Sequence, residues 1–236
     1  MTRQLNSRVH FEEKSSREDD AGNLRYECGD LGRLTPSRLA ASESFTRGQE
    51  PLHFSVGDFW QWGFSNLASN ALRGCLAEYL VRRALNAQLQ VRGEWDAFDL
   101  ITSDGVTLEV KSSAYLQTWR QRRLTKPLFK VRQTRAWDEE AGVYQPHEER
   151  RRQADVYVFA LLHHQHKPTL NPLDVAQWTF FVLRSDVLNE KIRPQGSIGL
   201  TGLRRLRPHA GTYDELPALL RAAVTGASAG ANGDAD

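Results

Sequence analysis

Seven consecutive apolar residues, Val156 to Leu162 (VYVFALL), form the longest wholly apolar run in the chain. A run of that length, rich in β-branched and aromatic side chains, reads as a strand buried on both faces. Such a strand needs cover on each side of its sheet, which points to a mixed α/β domain with helices flanking a central sheet. It is also far short of the ~20 apolar residues that cross a bilayer, so no membrane span is expected.

The other elements fall around this strand. The spacing of Leu72, Leu76, Tyr79 and Leu80, with Cys75, Val81 and Leu85, predicts a helix over about Asn66 to Asn86, and Glu78 lies inside its apolar face. Leu89 to Arg92 reads as a short strand. Phe98 to Thr102 reads as another, turning through Ser103-Asp104-Gly105 into a third, Val106 to Ser112. A basic region, largely helical or irregular, leads to Asp155–Leu162, and Trp178 to Leu183 (WTFFVL) forms a further buried strand. Thr212-Tyr213-Asp214-Glu215 has the form of a capping box opening a last helix that runs to about Val224. Residues 1–50 lack sustained periodicity and read as a mostly disordered arm, residues 51–225 as the folded domain, and residues 226–236 as a disordered tail. No internal repeat is present.

Composition narrows the class. Hydrophobic residues make up 40% and charged residues 25% of the 236 residues, and mean hydropathy is −0.55, as in ordinary soluble domains. Met1 to Ser16 is polar and charged, so no secretory signal is expected. Cys28 and Cys75 offer neither a disulfide framework nor a metal knuckle, so a reducing cytoplasm is the expected compartment. The net charge of +2 is unevenly spread. Between Ser112 and Trp137 there is no acid, while Arg120, Arg122, Arg123, Lys126, Lys130, Arg132 and Arg135 all fall there. A one-sign stretch suits a polyanionic partner, although a solvated face carries the same pattern.

The chemistry lies in the hairpin. A three-residue turn with Gly105 in the left-handed position would pair Thr102 with Val106, setting Asp99 opposite Glu109 and Ala97 opposite Lys111. Paired residues share a face, so Asp99, Glu109 and Lys111 would converge; a two-residue turn would separate them. Two adjacent carboxylates repel, and a hard cation relieves the repulsion. Mg²⁺ takes oxygen ligands from few carboxylates and keeps positions for water and phosphate, while a lysine polarises water or offsets phosphate charge. Hydrolysis of a phosphodiester suits that set.

Glu-x-Lys alone is uninformative, for Glu12-Glu13-Lys14 repeats it in the arm. In its context of acid-bearing helix, Asp strand, Gly turn and the strand LEVKSS, the sequence resembles the PD-(D/E)xK nuclease superfamily, whose restriction-endonuclease-like core is ordered αβββαβ. The matching residues are Glu78, Asp99, Glu109 and Lys111, over roughly 72–162. The layout is similar to archaeal-type Holliday-junction resolvases and Mrr-type restriction nucleases. The resemblance implies a metal-dependent DNA endonuclease in restriction, defence or repair. Asp99, Glu109 and the Val110 carbonyl would hold Mg²⁺, with Mn²⁺ able to substitute. Lys111 would assist the attacking water, and Glu78 would support it or a second ion. Cutting both strands with one site per chain would favour a homodimer, and a defence or repair complex would add a protein partner.

Other readings stand beside this one. Glu109 and Lys111 are also what the solvent face of a strand with inward Leu108 and Val110 looks like, and Glu78 could pair with Arg82 one turn on. A non-catalytic member of the fold would bind nucleic acid or a protein without its acids. Within the basic segment, Arg120, Arg122, Arg123, Lys126 and Lys130 would grip the backbone, and Gln117 would touch the backbone or the water. Trp119 and Phe129 serve either base stacking or core packing. His163-His164-Gln165-His166 has no Cys or carboxylate at ligand spacing and reads as a polar loop.

Overall fold

The computed structural model describes residues 36–87, 91–93, 97–135, 150–192 and 196–226, together with four two-residue strand segments. The chain divides into two compact units, 1–35 and 36–236. In the first, β1 (Arg17–Glu18) pairs antiparallel with β2 (Leu24–Arg25); most of the arm predicted over 1–50 lies outside the described residues.

The second unit holds the remaining elements. β3 (Ser44–Arg47) pairs with β4 (Glu50–Ser55), which runs into α1 (Val56–Phe64). Ser55 and Asp58 form a capping box: the Ser55 hydroxyl accepts the Asp58 N–H at 3.3 Å, and the Asp58 carboxylate accepts the Ser55 N–H at 2.7 Å. α2 (Asn70–Ala84) opens at Ser69, whose hydroxyl accepts the Leu72 N–H, and is shorter than the Asn66–Asn86 span expected.

β5 (Leu100–Ile101) and β6 (Thr107–Ala114) follow, then β7 (Leu128–Lys130), and β8 (Trp137–Asp138) paired with β9 (Val143–Tyr144). The chain continues with β10 (Val156–Leu162), β11 (Trp178–Arg184), α3 (Ser185–Lys191), β12 (Ser197–Gly199), α4 (Leu200–Arg205), β13 (His209–Gly211) and α5 (Leu216–Thr225). The central sheet runs β13-β11-β10-β6-β5; β10 lies parallel to β6 and antiparallel to β11, so the sheet is mixed.

Every residue of β10 is buried, as its unbroken apolar run requires. Leu108, Val110, Val156, Val158 and Ala160 face Ala77, Leu80 and Val81 of α2 and Leu216 and Leu220 of α5. On the opposite face Tyr157, Phe159, Phe181 and Leu183 pack with Phe129, Val131, Leu188, Ile198 and Leu203. Each large side chain buried in this way contributes about 1.5–3 kcal/mol, so the two cores fix the sheet that carries the site.

Three expectations need correction. Of the strand predicted at Leu89–Arg92, residues 89 and 90 lie outside the described residues, and Val91 and Arg92 are irregular. The basic region after β6 holds no helix among the described residues, so the αβββαβ order lacks its second helix there; β7 covers the sheet instead, pairing with β12 rather than joining the central strands. The last helix starts at Leu216, because only half of the capping box forms. The Glu215 carboxylate accepts the Thr212 N–H at 2.8 Å and the Thr212 hydroxyl at 2.9 Å. Among the described residues no helix is long and apolar enough to cross a membrane.

Candidate active site

The hairpin turn has the three-residue form. Gly105 takes φ +81°, the Thr102 N–H donates to the Val106 carbonyl at 3.0 Å, and Leu100 pairs with Leu108 and Ile101 with Thr107. The ladder stops at Leu100, so Asp99 and Ala97 are not the paired partners of Glu109 and Lys111 that the frame predicted. The Asp99 N–H still donates to the Leu108 carbonyl at 2.9 Å, and its carboxylate accepts the Val110 N–H at 2.6 Å. That bond satisfies a donor which the end of β5 would otherwise leave unpaired on the edge of β6.

Asp99, Glu109 and Lys111 nevertheless gather. Glu109 pairs with Tyr157 across the parallel ladder and Lys111 with Phe159, so both project from the face that β7 covers. The Lys111 ammonium donates to the Glu109 carboxylate as a close ion pair. Burial, then the charges of Glu109 and Glu78, push the Asp99 carboxyl up to about 7, against the downward pull of Lys111 and the Val110 amide. Burial draws the Lys111 ammonium down, but Glu109 and Asp99 outweigh it and its net shift is upward.

Glu78 lies on α2 within electrostatic reach of Asp99 and Lys111, with its side chain only 12% exposed. Its partner is Arg92 rather than Arg82: the Arg92 Nε donates to Oε2 at 2.5 Å and Nη2 to Oε1 at 3.1 Å. Arg82 instead donates to the Asp99 carbonyl. A residue's N–H and C=O point to the same side of a strand, so the Val110 carbonyl faces the same open edge as the amide that Asp99 holds. Among the described residues no three His, Cys, Asp or Glu side chains are gathered as a ready-made metal cage.

Beside Lys111 lies a cleft of about 580 Å³ between the start of α2 and the segment leading to β7. Of the predicted nucleic-acid contacts, Gln117, Lys126 and Lys130 line it, whereas Arg120, Arg122 and Arg123 do not line it and are exposed. Gln117 is buried, and its side-chain amide donates to the Ala114 carbonyl at 3.3 Å. Trp119 lines the cleft and is 56% exposed, while Phe129 is 1% exposed and meets Phe159 edge-on, so Phe129 is a core residue and Trp119 is not.

Sequence reasoning missed Gln121, whose side chain braces the loop. Its oxygen accepts the Gln117 N–H at 2.6 Å, and its amide donates to the Tyr115 carbonyl at 3.1 Å and the Thr125 hydroxyl at 3.0 Å. It missed Arg92 as well; no local spacing announces either. The three histidines are loop residues bonded to threonines, His163 to Thr179 and His164 and His166 to Thr169.

The family model for bacteriophage T4 endonuclease IV matches residues 63–201 of this sequence, more than half of the chain and the whole of the site just described. The chain belongs to that family. The match indicates a nuclease. No curated protein matches the sequence.

Proposed function

We propose that the protein is a metal-dependent DNA endonuclease of the PD-(D/E)xK kind, with Asp99, Glu109 and Lys111 as its catalytic residues. The observation that carries this reading is the half-buried meeting of two carboxylates and an ammonium at the open edge of β6, within a family of endonucleases. A carboxyl displaced upward by burial first, and then by the charges of Glu109 and Glu78, is one that a bound cation would relieve. Asp99, Glu109 and the Val110 carbonyl supply only oxygens, which fits Mg²⁺ or Mn²⁺. When bound, such a cation stabilises charge on the phosphate and acidifies water.

The chain's own groups do the rest. Lys111, released from Glu109, donates to the attacking water or to a non-bridging phosphate oxygen and offsets the charge that grows there. The water oxygen adds to phosphorus as its proton passes to solvent, and the bond from phosphorus to the leaving sugar oxygen breaks as that oxygen takes a proton from solvent. Lys126 and Lys130 hold the backbone in the cleft, and Arg92 holds Glu78 at the side of the acids.

Incubation of supercoiled plasmid and branched DNA with Mg²⁺ or Mn²⁺ tests this, comparing wild type with Glu109→Ala and Lys111→Ala. Nicking should require the metal and fall by ~10²–10⁴ in both variants while each stays folded. Equal cleavage by all three would refute the site, and binding without cleavage by any would refute catalysis.

A further inference from the structure

α2 carries a buried guanidinium that the reaction above does not use. Arg73 is 4% exposed; its Nη1 donates to the Ala68 carbonyl at 3.3 Å and its Nη2 to the Asn70 side-chain oxygen at 2.8 Å. Its Nε is buried with no hydrogen-bond partner, and among the described residues no carboxylate pairs with it. A buried cation held only by neutral acceptors is costly, and removing it from water pulls its pKa down. A structural brace would meet a carboxylate; this one opens on the cleft, beside Lys111, Gln117 and Lys126.

The next residue breaks a second rule at the same wall. Gly74 sits inside a helix, where glycine is weaker than alanine. A Cβ built on it would meet nothing within 4 Å, so packing inside the chain does not require the glycine, and the residue lines the cleft. A glycine in that position leaves room for something from outside to approach the helix backbone.

We propose that Arg73 and Gly74 form a seat for a phosphate oxyanion of the bound nucleic-acid strand. The guanidinium supplies the countercharge through the second N–H of each terminal nitrogen, and the glycine supplies clearance. The seat rests on the nuclease reading and extends it, since Lys111 and Arg73 line one cleft. It assigns a cost in stability to a binding function, which sets it apart from a packing role.

Fluorescence anisotropy of the full chain on a labelled oligonucleotide in Ca²⁺, across KCl concentrations, tests it with Arg73→Gln and Gly74→Ala, alongside thermal melts. Arg73→Gln should weaken binding and reduce the slope of log K against log salt by ~0.7–0.9, with an unchanged or raised Tm. Gly74→Ala should raise Tm and also weaken binding. Wild-type affinity and slope in both variants would overturn the seat, as would an Arg73→Gln protein that melts early yet binds normally once folded. Inorganic phosphate that raises the wild-type Tm as much as the oligonucleotide does, with oligonucleotide affinity unmoved by the variants, would assign the seat to free phosphate. A wild type that neither binds nor cuts nucleic acid would remove the nuclease reading itself, an outcome read before any variant is compared.

Discussion

Replacing Asp99 with asparagine should stabilise the metal-free protein at alkaline pH. Burial and the charges of Glu109 and Glu78 hold the folded Asp99 carboxyl at about 7, above its ordinary 3.8. An acid whose folded pKa exceeds its unfolded value binds more protons when folded. Stability is therefore full below about pH 4, falls as pH rises toward 7, and carries the whole penalty at pH 8. A shift of about three units corresponds to ~4 kcal/mol, and the half-buried side chain's remaining solvent contact trims this to ~3 kcal/mol. The asparagine amide would keep an oxygen for the Val110 N–H while removing the charge. In EDTA at pH 8 the Asp99→Asn variant should exceed wild type by ~3 kcal/mol in urea unfolding, or by roughly 6–12 °C in Tm for a domain of this size. The difference should vanish near pH 4. Millimolar Mg²⁺ should raise the wild-type Tm at pH 8, leave it unchanged at pH 4, and leave the variant unchanged at both. A difference that does not depend on pH, or a variant less stable than wild type at pH 8, would refute the account of a half-buried, charge-crowded carboxylate.

Two further outcomes follow from the cleft and its support. Lys126→Ala combined with Lys130→Ala should weaken DNA binding to the same degree on unrelated sequences and lower the salt slope by ~2, measured by anisotropy against KCl. Phe129→Ala should cost ~3–5 kcal/mol in urea unfolding, because the ring is fully buried against Phe159 and Ile198 on the face that anchors the cleft wall.

What could be read from the sequence was short-range. The Ser103-Asp104-Gly105 turn sets its own register, and VYVFALL can be buried only in the middle of a sheet, so the hairpin and the central strand followed from local chemistry. Ser55-Val56-Gly57-Asp58 carried a capping signal of the same kind, at the start of α1. The remaining features depend on partners distant in the chain. Phe129 is buried because β12, far later in the chain, pairs with β7, at Ile198↔Phe129. Glu78 takes Arg92, fourteen residues on, over Arg82 on the same helix. Asp99 lost its ladder partner because its carboxylate meets the Val110 amide, a choice that a face-by-face count of side chains does not contain.

Three departures from good local chemistry occur in this domain: a half-buried carboxylate among carboxylates at Asp99, and, side by side on α2, a buried guanidinium without a countercharge at Arg73 and a glycine inside a helix at Gly74. A domain with two complete cores could repair each with one substitution. Natural chains concentrate such departures where function requires them. The signs here are also informative, since Asp99 is crowded by the carboxylates of Glu109 and Glu78, whereas Arg73 meets no carboxylate among the described residues. A metal cation together with a phosphate backbone would relieve both at once. A protein partner without a metal would relieve only one of them. That asymmetry is why the nuclease reading accounts for the cleft better than a binding module built on the same fold.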